Sequence, residues 1–348
     1  MAYTTINKST DHFNTKLFTG TGSSNAVTGI GFSPSWVWIK DRQDTHNHNL
    51  FTSLIGATKR MNCDTHDAET TNAESLKSFD SDGFTLGTQT NVNQSGHTNV
   101  AWNWKASGAS GSGTTAGSGT SKAYSYIVNT TAGFSITKFV GNGTSGHKIP
   151  HSLGATPKIF MIKNRSRGTT DWQIYSPVND PTDALALNQS DATGDSESYW
   201  SDEAPDATHI VVGGGGAVNY NGDDLVCYAW KEVTGYSKFD SYTGNGNADG
   251  TFIYTGFKPA FVIVKQSNSA RNWIVMDNKR NPSNVVNKYL KANTTSAEET
   301  TTYVDFLSNG FKCRDSDTGA NESGGTYIYM AFAEAPLVGS NNVPCTAK

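Results

Sequence analysis

The chain has 348 residues, and charge is what it has little of: 17% of them are charged, with 27 Lys plus Arg against 31 Asp plus Glu. No cluster of basic residues stands out, and a nucleic-acid partner needs one, so nucleic acid is excluded. No apolar run approaches the roughly 18 residues of a membrane helix, so no membrane insertion is expected. The opening MAYTTINKST has no basic segment leading into an apolar one. It is therefore not a secretory leader, and synthesis in a cytoplasm is expected. Helical periodicity with capping residues is also missing. The four cysteines, Cys63, Cys227, Cys313 and Cys345, are far apart and form no C-x-x-C pair. They read as reduced thiols, with neither a disulfide framework nor a zinc site.

Glycine (35) and aromatic residues (8 Trp, 14 Tyr, 16 Phe) are abundant. Aromatic and β-branched residues stand in short runs separated by Gly, Asn, Asp, Ser and Thr, the pattern of an all-β protein with many turns. The length suggests two or three domains.

One stretch is written three times: GFSPSWVWIK (31–40), GATPKIFMIK (154–163) and GFKPAFVIVK (256–265). Each has Gly three residues before Pro and Lys six after it: Gly31/Pro34/Lys40, Gly154/Pro157/Lys163 and Gly256/Pro259/Lys265. Upstream, each copy has an aromatic residue and then G-x-G, in FTGTG, FVGNG and YTGNG. Each closes on an aromatic run, NVAWNWKA, LVCYAWKE or YIYMAFAE. FDSDGF (79–84) and FLSNGF (306–311) match in the outer copies, where the middle one has HIVVGGGG. A repeat of about a hundred residues is too long for a solenoid unit and long enough to bury a core of its own.

The expected organisation is an arm (1–9), repeats at 10–105, 123–233 and 234–336, and a tail (337–348). Residues 106–122, rich in Gly and Ser, read as a flexible linker because they have no apolar area to bury. Repeats two and three, joined by a few residues, should then pack as one body displayed beyond an anchoring first repeat.

In the repeated strand Trp36, Trp38 and Lys40 alternate with Ser35, Val37 and Ile39. Both faces are largely apolar, so the strand is covered on both sides, or one face meets a neighbouring repeat. Trp36 and Trp38 read as core, because the other copies place Ile159/Met161 and Phe261/Ile263 there; a sugar platform would not accept Ile or Met. Three tandem β-sandwich domains, jelly-roll or immunoglobulin-like and related by internal repeat, satisfy these runs.

Chemical motifs are sparse. His46 and His48, with Cys63, His66 and Asp67 nearby, raise a metal site that the other copies do not repeat, and it reads as a polar loop. DSDG (80–83) and DSDTGANES (315–323) lack the full calcium-loop spacing. VVGGGG (211–216) has no following lysine to cradle a phosphate. No catalytic motif is evident, so no enzyme activity, cofactor or metal is expected. Trp172 and Trp273, which follow the repeated strand in two copies, are the candidate ligand-binding residues if loop aromatics contact a glycan.

The phrases FNTKLFTGTG, GFSPSWVWIK, SFDSDGFTLG, GYSKFDSYTGNG and FLSNGF…GGTYIYMAFAEAP resemble a module of bacteriophage virion structural proteins, notably of marine and cyanobacterial phages, usually labelled tail or tail-fibre proteins. The resemblance runs from about residue 11 to 336. It implies a non-enzymatic protein on the virion surface, with a tail-type adhesion role that binds a host receptor or glycan. Capsid decoration by subunit contacts is the alternative, and a polysaccharide depolymerase the second. The implied partners are other virion proteins, copies of itself in a homo-oligomer, and a host cell-surface glycan. Met1 stands close to the first repeat, which leaves little room for a long fibre shaft.

Overall fold

The computed structural model describes residues 3–176 and 178–338. It is all-β with several antiparallel sheets, three one-turn α-helices and one turn of 3-10 helix, Ser9–Asp11. The strands fall into three sets, called units 1, 2 and 3, whose central neighbours run in the same order. In unit 1 that order is Phe13–Thr19, Thr98–Trp104, Trp36–Asp41, Asn49–Thr52, Lys59–Asn62. Unit 2 repeats it with Phe134–Val140, Asp224–Trp230, Ile159–Asn164, Gln173–Tyr175 and Asp183–Ala186. Unit 3 does so with Ser237–Thr243, Thr326–Pro336, Phe257–Gln266, Ile274–Asp277 and Val286–Lys291. The register is shared as well: Trp36 pairs with Trp104, Ile159 with Trp230, and Phe261 with Phe332.

Each repeated strand uses its two faces differently. Val37 and Ile39 join the core of unit 1, with Val27, Phe84 and Leu86 of its second sheet. Phe160 and Ile162 do the same in unit 2, and Val262 and Val264 in unit 3. The opposite faces, Trp36/Trp38, Ile159/Met161 and Phe261/Ile263, meet in one core shared by all three units. Trp36 lies 5.1 Å from Tyr228 and 5.6 Å from Trp230, ring centre to ring centre. Trp104 lies 5.6 Å from Phe261. The two-sided apolar pattern therefore marks a strand with its own unit behind it and its neighbours in front.

Two expectations are corrected here. Residues 106–122 are not a free linker: Ala109–Thr114 is an edge strand paired with Ala123–Asn129, and Ala116–Gly117 pairs with His147–Pro150. The glycines are what allow it. A Cβ on Gly111 would come within 2.8 Å of the Tyr126 ring, and one on Gly113 within 3.1 Å of Tyr124. Two stacked tyrosines thus supply the apolar cover that the tract lacks. Nor does the first repeat stand apart from the other two, because its four tryptophans are buried in the core shared with both. The arm folds back too: Ile6 enters the shared core, and the Tyr3 hydroxyl donates to the Gly256 carbonyl of unit 3. The tail beyond residue 338, with Cys345, lies outside the described residues.

Candidate functional site

The repeated motifs are first of all structural devices. In each G-x-G the first glycine meets backbone: a Cβ on Gly20, Gly141 or Gly244 would fall 2.1–2.3 Å from a carbonyl oxygen. The second glycine, Gly22, Gly143 or Gly246, has φ of 65–74°, which only glycine adopts without strain. A buried asparagine then clamps the loop. The Oδ1 atoms of Asn93, Asn219 and Asn321 accept from the amides of Thr21, Asn142 and Asn245. Their Nδ2 groups donate to carbonyls on either side.

The repeated lysines are fully buried. Lys40 donates to the carbonyls of Asp41 and Asp44, Lys163 to those of His66 and Thr170, and Lys265 to those of Gln266 and Ser269. Burial pulls each ammonium down to about 8, against partial support from nearby carboxylates. They tie strand ends to loops and do not reach solvent.

The units are joined in a closed ring. The residue preceding the fourth strand in the common order is His48, Trp172 or Trp273. Its ring N–H donates to the carbonyl that ends the fifth strand of the adjacent unit: His48 to Lys291, Trp172 to Asn62, Trp273 to Ala186. Unit 1 thus contacts unit 3, unit 2 contacts unit 1, and unit 3 contacts unit 2. His48 is fixed as the Nε2–H tautomer, because its Nδ1 accepts the Trp38 indole N–H at 2.9 Å. Burial holds its pKa well below the ordinary value. A backbone bridge repeats the same circuit. The amides of Glu298, Glu69 and Thr193 donate to the carbonyls of Arg42, Arg165 and Ser267.

This placement corrects the ligand-binding assignment. Trp172 and Trp273 are 0% and 1% exposed, so neither presents a ring to a glycan; both are seam residues. His48, their counterpart in unit 1, drew notice only as a metal-ligand candidate in a polar loop; its equivalence to the two tryptophans was hidden because its ring differs from theirs. The other motifs also resolve locally. His46 and His97 both direct Nδ1 at Oδ2 of the buried Asp41, at 3.0 and 2.8 Å. Asp82 of DSDG accepts from the amides of Gly29 and Gly31, and Asp317 accepts from Gly319. Gly213 of VVGGGG packs on the Ser198 carbonyl, 2.2 Å from where a Cβ would stand. Among the described residues no group of three or more His, Cys, Asp or Glu is placed to hold a metal. Cys63, Cys227 and Cys313 are buried and free, and burial raises each thiol.

What reaches solvent differs between units. Unit 3 exposes Phe252 and Tyr254 on an edge strand, where unit 1 has Ala26 and Thr28. Unit 2 carries open clefts. One of about 280 Å³ is lined by Tyr124, Lys138, Arg165 and Asp224, and one of about 350 Å³ by Ser145, Glu197, Ser201 and Asp202. A third, of about 260 Å³, is formed by unit 2 alone and is lined by Asp171, Gln173, Leu185, Asp191, Asp195 and Tyr199; its Ala186 also accepts the seam bond from Trp273. Asp171 there accepts from the side-chain amides of Asn188 and Gln189.

No curated protein and no solved structure matches the chain. One family model does, over residues 8–336, and that single span takes in all three units. The chain belongs to this family, DUF7483, described as a domain of unknown function.

Proposed function

We propose that the chain is a non-enzymatic structural protein on the surface of a bacteriophage virion, with a tail or tail-fibre-type adhesion role toward a host receptor or glycan. In this reading it consists of three β-sandwich domains related by internal repeat, acting as one rigid head. It works alongside other virion proteins and copies of itself. The observation that carries the reading is the ring: the same strand register and the same ring-N–H and amide bridges recur at all three seams. A body fused this way keeps its shape under load and offers a fixed rim for unit-specific contacts. The resemblance of the sequence phrases to phage structural modules suggests the setting.

Capsid decoration is the second reading, and the same ring favours it: three equivalent lobes offer three equivalent faces to neighbouring capsid subunits. The experiment is gold labelling of intact, washed particles with an antibody to this chain. Label confined to the tail is the expected result, and label spread over the head selects decoration. Particles that carry no label would sink both readings.

A further inference from the structure

We propose that the cleft of unit 2 lined by Gln173, beside the seam with unit 3, is a binding site for one uncharged or amino sugar ring. The proposal names a ligand for the adhesion reading and in that sense rests on it. The central residue is Gln173. It is 3% exposed and lines the cleft, and its carboxamide has no hydrogen-bond partner among the described residues. Its amide edge is open to the cleft, where water or a ligand hydroxyl can complete it. It presents one acceptor and two donors side by side. A vicinal pair of hydroxyls matches that set, one donating to Oε1 and the other accepting from Nε2.

The surroundings narrow the ligand class. Asp171, Asp191 and Asp195 are hydrogen-bond acceptors when ionised, suited to hydroxyl or ammonium groups. No Lys, Arg or His lines the cleft, and Lys265, which feels the charge of Asp191, is fully buried, so an anionic sugar would meet carboxylates and no cation at the cleft surface. Tyr199 is half-buried at the wall and supplies a ring for the apolar face of a pyranose. A volume of about 260 Å³ falls just below the roughly 300 Å³ at which ligand pockets start, and so admits no more than one ring.

The site belongs to unit 2 alone. The residue after the seam donor is Asn49 in unit 1 and Ile274 in unit 3. Asn49 spends its Nδ2 on the Asn47 and Asn91 carbonyls, and Ile274 has no polar group. The strand therefore tolerates an apolar residue at this position, which makes Gln173→Leu a usable variant. Asp195→Asn, on an exposed two-residue strand, is a second that leaves the core untouched.

The test is saturation-transfer NMR on the full chain. The probes are glucose, galactose, mannose, N-acetylglucosamine and glucosamine, with glucuronate and N-acetylneuraminate as anionic comparators. At least one neutral or amino sugar should give signal, and both anionic sugars should give none. Gln173→Leu should weaken binding by about tenfold, the loss of one well-made polar contact, and Asp195→Asn should weaken it less. The melting temperature separates loss of binding from loss of fold. Absence of signal from every neutral and amino sugar overturns the proposal, as does undiminished binding in both variants or equal binding of the anionic sugars. None of these outcomes depends on where the protein sits on a particle, so the labelling experiment can fail or succeed independently.

Discussion

Two seams of the ring carry an arginine on a glutamate, and the third carries none. Between units 1 and 3, Arg42 holds Glu298 through two nitrogens, both at 2.8 Å, and Arg280 approaches the same carboxylate at 3.4 Å. Between units 2 and 1, Arg165 holds Glu69 at 2.7 Å. At the seam of units 3 and 2 the equivalent pair is Ser267 and Thr193, joined only through backbone. All three seams keep the amide bridge, the ring N–H bond and the shared apolar core. What every seam needs is apolar burial with satisfied backbone groups; the ion pairs are additions at two sites. Desolvation offsets much of the attraction in such part-buried pairs, so a seam can omit one without opening.

The largest effect should come from the element common to all seams. Trp104→Ala removes an indole packed on Phe13, Trp36, Phe261 and Phe332. It should cost about 3–5 kcal/mol, the range for a buried Trp or Phe cut to Ala, read by denaturant unfolding. The wild type should unfold in a single transition; two resolved transitions would break the idea that the seams weld the units together.

The charged seams come next. In each pair the side chains are 10–13% exposed, between the surface and buried cases. Arg42→Met or Arg165→Met should therefore cost about 1–3 kcal/mol, with the loss shrinking in high salt. Installing a pair at the third seam with Ser267→Arg and Thr193→Glu should gain less than about 1 kcal/mol. A larger gain would mean that this seam is the weak one.

The ring N–H donors sharpen the comparison further. Trp172→Phe and Trp273→Phe should each cost about 1 kcal/mol, the net value of one hydrogen bond. His48→Leu should cost more, because it leaves both the Trp38 N–H and the Lys291 carbonyl without a partner.

A further expected effect is a pH dependence. Lys265 titrates near 8 in the folded chain and near 10.4 when unfolded. Between those values the unfolded state holds more protons, so this lysine's contribution to stability rises with pH. Buried thiols and tyrosines, whose values are raised, act in the opposite sense once their unfolded values are passed. The lysine is therefore read as a difference: the wild type should gain on Lys265→Met as pH goes from 8 to 10. Lys40 and Lys163 should behave alike. A flat difference would show that the ammonium is not penalised by burial.

Much of the architecture was legible as a pattern repeated at fixed spacing. Gly31, Gly154 and Gly256 all have positive φ, from 70° to 93°, so the spacing that marked the repeat reports a real backbone requirement. The ring was not legible. Period-two alternation shows that Trp36 and Val37 are both covered, but not that one cover belongs to another part of the chain. The edge strand at 109–114 was missed because glycine and serine have no strand preference of their own. Its cover lay in the alternation of Tyr124 and Tyr126 further along. Trp172 and Trp273 drew attention as aromatics outside a strand, while Gln173, next to one of them, looked like any strand residue. Only its place in the cleft of unit 2 singles it out.

The shared core also sets an order of events in time. The inner face of unit 1, with Trp36, Trp38 and Trp102, is complete once Trp104 has been made, yet part of its cover is Phe261 and Phe332. At about 5–20 residues per second of synthesis, that face waits roughly 10–45 s for the last strand to emerge. A chain whose first third exposes a patch of tryptophans for that long depends on prompt arrival of its own C-terminal third. Truncation before residue 332 should therefore yield an aggregating fragment, and not a smaller folded protein.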